Sequence, residues 1–204
     1  MTEKKLVVIT GASSGIGKAL YNKYKELLEY DVLGLSRRGP DLFVDLKDLR
    51  KFSMSHSVDI LINCAGIMPL ENETEEVMQV NFWGAYYLTK KLLCKDMCII
   101  NIASVSATHP DPHQPIYAAS KAALIAMSKS LAKQWASFGV RVNCISPGFY
   151  DTNLVVGETP QNLIDTIPMM YEEDPLNLFP VVRMIERTKY MTGANIVVDG
   201  GLTA

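Results

Sequence analysis

The sequence predicts a doubly wound α/β fold, a parallel sheet with helices above and below it. Two observations predict this. Short runs of Val, Ile and Leu read as strands buried on both faces. These runs alternate with longer stretches of helical periodicity, the β-then-α order of a parallel sheet.

Leu6-Val7-Val8-Ile9 is the first strand. Ile16, Leu20, Leu27 and Leu28 mark the buried side of a helix ending near Tyr30, and Val32-Leu33-Gly34-Leu35 is the second strand. A polar stretch, about 46–56, leads to the strand Ile60-Leu61-Ile62. Residues 75–93 read as a helix, Cys98–Ile102 as a strand, and 117–136 as a helix rich in small residues. Val140–Ile145 and Asn195–Val198 are the remaining strands. The least regular stretch is 149–175, with Gly157, Pro160, Pro168 and Pro175. Long irregular segments inside a compact domain are usually lids or binding loops. No repeat, linker or composition break divides the chain, so 1–204 is read as one domain.

Of the 204 residues, 48% are hydrophobic and 21% charged, which excludes a disordered chain. Lys plus Arg is 20 and Asp plus Glu is 22, a net charge of −2, so there is no basic footprint for nucleic acid. No apolar run approaches the roughly 18 residues that span a bilayer. The polar start, Met1 to Lys5, shows no secretion signal, so no membrane partner and a cytoplasmic location are expected. Cys64, Cys94, Cys98 and Cys144 read as reduced thiols. Cys94 and Cys98 have no nearby His or second Cys pair, and no metal site is expected.

Thr10-Gly11-Ala12-Ser13-Ser14-Gly15-Ile16-Gly17 joins the first strand to the first helix. Glycines there allow a tight turn and close approach to a phosphate, and the helix aims free N–H groups at the anion. Gly17-Lys18 hints at a nucleoside-triphosphate loop, but Ala12 and Ala19 stand where that loop needs a glycine and a metal-binding hydroxyl. Together with Asn63-Cys64-Ala65-Gly66, Tyr117-Ala118-Ala119-Ser120-Lys121, Pro147-Gly148 and Asp199-Gly200-Gly201, the turn resembles the classical short-chain dehydrogenase/reductase family. The motifs run in order over essentially the whole chain.

The resemblance implies a Rossmann-like three-layer α/β/α domain that binds a dinucleotide through Gly11, Ser13, Ser14, Gly15, Ile16 and Gly17. It places Asp45 and Leu46 beside the adenine, and Ala65 and Gly66 along the adenosine ribose. Pro147, Gly148 and Thr152 fall on the nicotinamide side, and Asn63 steadies the central sheet. Cys64 departs from the family's usual second Asn, at a position that does not react. In a fold of this type the end of the second strand meets the adenosine ribose. An acid there would select NAD; here stand Ser36-Arg37-Arg38, and a 2′-phosphate calls for a guanidinium and a hydroxyl. The expected cofactor is therefore NADP(H), with Arg37 the main phosphate contact, Ser36 a second donor, and Arg38 able to exchange roles with Arg37.

Tyr117 and Lys121 stand four apart on one helix face. A neighbouring ammonium is expected to lower the phenol from its ordinary value near 10 and make Tyr117 a general acid and base. The resemblance makes Ser104 the hydroxyl that orients a substrate carbonyl, with Ser106 as fallback. It makes Asn81 the holder of a water that links Lys121 to solvent, and lets Lys121 bind the nicotinamide ribose. His109 and His113 read as exposed loop residues, with contact to substrate the alternative; Trp83 and Trp135 read as packing residues; and Met169, Met170 and Met184 read as ordinary helix packing, with an adaptable pocket lining the alternative.

Family members are commonly longer. Only thirteen residues separate Asp45 from Asp59 and fourteen separate Gly66 from Asn81, so trimmed flanking helices are expected there; the segment from Thr152 to Gly193, which in the family closes over substrate, is also compact, and a more open pocket is expected. The small residues of 117–136 suit packing against a second copy, and the family's habit points to a homo-oligomer, a dimer or tetramer. The expected activity is NADPH-dependent reduction of an aldehyde, ketone or 3-oxoacyl group. The alternatives are an NAD(P)-dependent alcohol or sugar dehydrogenase, and a non-catalytic NADP-sensing protein.

Overall fold

The computed structural model describes residues 4–68, 75–152, 154 and 161–204. Seven strands form one sheet: β1 (Lys5–Thr10), β2 (Tyr30–Ser36), β3 (Leu42–Phe43), β4 (Ile60–Asn63), β5 (Cys98–Ile102), β6 (Arg141–Pro147) and β7 (Asn195–Val198). Their order is β3-β2-β1-β4-β5-β6-β7, and every neighbouring pair is parallel. The order reverses between β1 and β4, where a fold of this type opens a crevice beyond the carboxyl ends of the strands.

Strand side chains alternate between two apolar cores. Val7, Ile9, Ile60, Ile62 and Ile100 join one core with Leu20 and Tyr24 of α1 (Gly15–Lys25) and Val182 and Ile185 of α6 (Phe179–Arg187). Val8, Leu61, Ile99 and Val142 join the other. Its helices are α3 (Ala85–Leu92), through Leu88 and Leu92, and α4 (Pro115–Trp135), through Leu131 and Trp135. Helices therefore cover both faces, as the apolar strands require. A short α2 (Glu75–Met78) runs into a π-helical segment, Gln79–Gly84, and then into α3, while α5 (Gln161–Ile164) is a single turn.

At the amino-terminal edge of the sheet a buried polar cluster ties α6 to the strands. Glu186, only 3% exposed, accepts from the Tyr30 hydroxyl at 2.6 Å and pairs with Arg183 at 2.9 Å. Arg183 also donates to the Tyr30 hydroxyl, and its guanidinium lies 4.9 Å from that ring centre. Arg141, at the start of β6, donates to the carbonyls of Ile185, Glu186, Thr188 and Met191, which satisfies the free end of α6.

Several boundaries differ from the sequence expectation. α1 ends at Lys25, not near Tyr30, because Tyr30 already pairs with Lys5 in the sheet; Leu28 sits on the turn, 87% exposed rather than buried. α4 begins two residues early, at Pro115, whose fixed φ suits a first helical turn. The Pro175–Leu178 turn and α6 were not anticipated. Pro175 and Pro180 look like breakers, but each stands in the first turn of its helix, where no N–H is needed. Residues 46–56 carry only turns, in keeping with a trimmed flank. Met169 and Met170 are largely exposed in an irregular turn and pack in no helix. Trp135 is buried as expected, whereas Trp83 is part-exposed and stacks on Tyr87 at 5.6 Å. All four cysteines are free thiols. Gly157 and Pro160 lie outside the described residues. Among the described residues no helix is long and apolar enough to cross a membrane.

Candidate active site

The turn after β1 is built on close approach. Gly11 has φ +70°, and a Cβ there would lie 2.9 Å from Ala65 Cα. A Cβ on Gly17 would meet the Gly11 carbonyl oxygen at 2.4 Å, so only glycine lets α1 start this near the strand. The Thr10 hydroxyl accepts from the N–H groups of Cys64 (2.9 Å) and Ala65 (3.0 Å), which locks the ends of β1 and β4 together. Ser14 stands at the N-cap of α1 with no side-chain cap bond, leaving its hydroxyl and the first helical N–H groups for an anion.

A cleft of about 1560 Å³ runs across these strand ends. It is lined by Gly11, Ser13, Ser14, Gly15, Ile16, Gly17, Ser36, Arg37, Asp45, Leu46, Ala65, Gly66, Pro147, Gly148 and Thr152. Ser104, Tyr117 and Lys121 line it too. A volume of this size, glycines at the turn and two guanidiniums at one end fit an extended anionic dinucleotide. Ser36 Oγ accepts from Arg38 N–H at 3.1 Å, so the serine and both arginines sit together at the end of β2.

Tyr117 and Lys121 share one face of α4, each 4% exposed. Lys121 Nζ lies 5.7 Å from the Tyr117 ring centre and donates to the Ile102 carbonyl at 2.9 Å. The Ser104 hydroxyl is hydrogen-bonded to Tyr117, and Ser106 Oγ lies 3.2 Å from Ser104 Oγ. Asn81 and Asn63 do not line the cleft. Asn81 stands behind it: Oδ1 accepts from Ile67 N–H (2.8 Å), while Nδ2 donates to the Ile67 carbonyl (3.0 Å) and Ser120 Oγ (3.1 Å). A Cβ on Gly66 would sit 3.3 Å from Asn81 Oδ1 and 3.4 Å from Lys121 Nζ, so these three residues share one small space. Asn63 Nδ2 donates to Thr89 Oγ1 (3.0 Å) and to Asn101 Oδ1 (2.8 Å), joining β4 to β5 and α3.

The expected lowering of the Tyr117 pKa is not what the structure shows. Burial pushes the phenol up to about 12, against a smaller downward pull from the Ser104 hydrogen bond. Burial also pushes Lys121 down to about 8. The amine keeps most of its charge at neutral pH, but burial of the phenol outweighs any pull it exerts.

The far wall of the cleft includes Phe149, Tyr150, Leu154, Leu163, Leu202 and Thr203, none singled out from the sequence. Phe149-Tyr150 follows Pro147-Gly148 directly, and Leu202-Thr203 follows Asp199-Gly200-Gly201; those adjacencies were the available signal. His109 and His113 are exposed, as expected, but they also line the mouth.

A family model described as Enoyl-(Acyl carrier protein) reductase matches residues 50–203. The chain belongs to the short-chain dehydrogenase/reductase family. It is 31% identical to 3-oxoacyl-(acyl-carrier-protein) reductase of Chlamydia pneumoniae, covering 98% of this chain and 97% of that one. It is 32% identical to carbonyl reductase family member 4 of Xenopus tropicalis, over 97% and 98%. It is also 30% identical to an uncharacterised short-chain dehydrogenase/reductase of Sinorhizobium fredii, of whose length it spans 43%. Among solved structures, 3-ketoacyl-(acyl-carrier-protein) reductase from Brucella melitensis complexed with NADH superposes with a TM-score of 0.86 at 26% identity, over 99% of both chains. As a short-chain dehydrogenase/reductase the protein is an oxidoreductase with a Rossmann-like fold.

Proposed function

We propose that the protein uses NADPH to reduce the carbonyl of an aldehyde, ketone or 3-oxoacyl group to an alcohol. The observation that carries this is one continuous cleft, from Ser36, Arg37 and Arg38 past the glycine turn to Ser104, Tyr117 and Lys121. A nicotinamide dinucleotide supplies the hydride when bound. Tyr117 donates its phenolic proton to the carbonyl oxygen, and its burial keeps that proton in place at neutral pH. Ser104, bonded to Tyr117, orients the same oxygen and stabilises its developing charge. Lys121, with a pKa of about 8, holds the ribose and serves as a nearby proton carrier. Asn81 braces Ser120 and the Ile67 backbone, which keeps the tyrosine helix and the Gly66 strand end in register. Asn63 does the same for β4 and β5.

The same residues run backwards would give an alcohol or sugar dehydrogenase, with Tyr117 as base. The paired arginines favour the NADP-linked reductive direction, and the complete Ser104-Tyr117-Lys121 set disfavours a protein that only senses NADP. Following NADPH absorbance with a panel of aldehydes, ketones and 3-oxoacyl esters tests the proposal; NADPH binding with no turnover of any carbonyl would defeat it.

The cofactor preference has its own test. A charge-assisted hydrogen bond contributes about 1.5–3 kcal/mol, so Arg37→Ala raises KM for NADPH about 10- to 100-fold and leaves KM for NADH unchanged. Arg38→Ala, measured alongside, shows which guanidinium carries the contact. We also propose a homo-oligomer, dimer or tetramer. Ala126 and Ser130 of α4 lie on an open surface, and Trp83 and Tyr87 leave aromatic area uncovered. Light scattering is expected to give a mass at least twice that of the chain.

A further inference from the structure

The cleft carries cations at one end only. Arg37 and Arg38 line the dinucleotide end. The other end is walled by the chain that follows β5, β6 and β7; among the described residues its lining has no Lys or Arg apart from Lys121, and two histidines, His109 and His113, stand at the mouth. Residues 96–120, 142–182 and 190–204 contain neither Lys nor Arg. Lys121 is 4% exposed, and its Nζ is already committed to the Ile102 carbonyl. What faces this end instead is apolar or hydroxylated: Phe149, Leu163 and Leu202, with Ser106 and Thr203.

Two carboxylates stand near this end. Asp111 lines the mouth, between His109 and His113. Asp199, at the end of β7, accepts from Gly201 N–H, Thr203 N–H and the Thr203 hydroxyl. Burial pushes this carboxyl up, but those three donors, with a smaller pull from His109, outweigh it and hold it below the usual carboxylate range, so it stays ionised.

We propose that the substrate is an uncharged carbonyl compound. The cleft selects against substrates that carry a carboxylate or phosphate close to the reacting carbonyl. This rests on the reductase reading above and narrows it to carbonyl compounds whose neighbouring groups are uncharged. A carboxylate entering the cleft leaves its hydration behind and finds no free cation to replace it. A single like charge about 10 Å away, at the effective dielectric of a protein surface, is worth about tenfold in affinity.

The test compares matched pairs with NADPH at pH 8, where an ordinary imidazole is neutral, and at low salt. Ethyl acetoacetate is set against acetoacetate, and methyl 4-oxopentanoate against 4-oxopentanoate. The neutral member of each pair is expected to show a kcat/KM at least about tenfold higher. The gap narrows in 0.5 M NaCl as the charges are screened. Leu163→Lys, a part-exposed position on the wall, raises kcat/KM for the anions alone. Equal or better use of either carboxylate overturns the proposal. Turnover of neither pair defeats the reductase reading instead. Calorimetric titration of the same pairs onto the protein–NADPH complex then decides charge selection by itself: tighter binding of the neutral member supports it, and equal or tighter binding of the anion overturns it.

Discussion

Tyr117→Phe lowers kcat about 10³-fold, roughly 4 kcal/mol of transition-state stabilisation, and leaves the Kd for NADPH within about threefold. The ring is 4% exposed and packed, so phenylalanine fills the same volume without opening a cavity. What disappears is the hydroxyl, and with it the hydrogen bond to Ser104. Ser104 retains Ser106 Oγ at 3.2 Å and Ser106 N–H at 3.1 Å, so it is not left orphaned and the cleft wall keeps its shape. Binding and chemistry therefore separate in this variant. Single-turnover measurement at saturating NADPH reads the chemical step, and fluorescence titration reads the affinity. A loss of less than tenfold would move the proton donor elsewhere, with Ser104 the nearest hydroxyl.

Glu186→Ala destabilises the fold by about 3–5 kcal/mol and leaves kcat unchanged. The carboxylate is 3% exposed and is held by Tyr30 at 2.6 Å, Arg183 at 2.9 Å and Lys5 at 3.6 Å. Its removal strands the Arg183 guanidinium, whose side chain is only 12% exposed and whose remaining carboxylate, Glu29, lies 3.6 Å away. The cost is that of a buried cation without its partner. The paired variant Arg183→Met/Glu186→Leu is expected to regain most of the loss, because it removes both charges together. The cluster gathers the starts of β1 and β2 with α6, at the edge of the sheet opposite the cleft, which is why activity survives. Urea unfolding monitored by circular dichroism reads both effects; a destabilisation below 1 kcal/mol for the single variant would mean that solvent reaches Arg183 readily.

Much of this arrangement was legible from residue patterns. Six of the seven strands fell where continuous Val and Ile runs placed them, within one or two residues, because buried strands leave few polar positions to blur the edges, while the two-residue β3, exposed at the sheet edge, gave no such run. Tyr117, Lys121 and Ser104 gathered at one cleft, as a short motif on a helix and a strand end allow. α6 escaped because its prolines read as breakers until their position in the first turn is known. The direction of the Tyr117 shift escaped for a different reason: helical spacing shows that an amine is near, but not that the whole pocket is dry. The far wall, with Phe149 and Leu202, belongs to no periodic pattern, and only the folded chain brings it into the same cleft as Tyr117.

The π-helical segment Gln79–Gly84 makes residue count, more than residue identity, the sensitive quantity in this helix. It lets the adjacent residues Val80 and Asn81 both turn inward, the first to pack and the second to bond Ile67 and Ser120. Deleting Phe82, Trp83 or Gly84 would close it to ordinary helix and swing what precedes it, Asn81 included, by about 100°. Asn81 would then point away from both partners, although every side chain but one remained. Exchanges on the outward face of this stretch should be tolerated widely, while insertions and deletions should not, so its length is a heritable constraint independent of its letters.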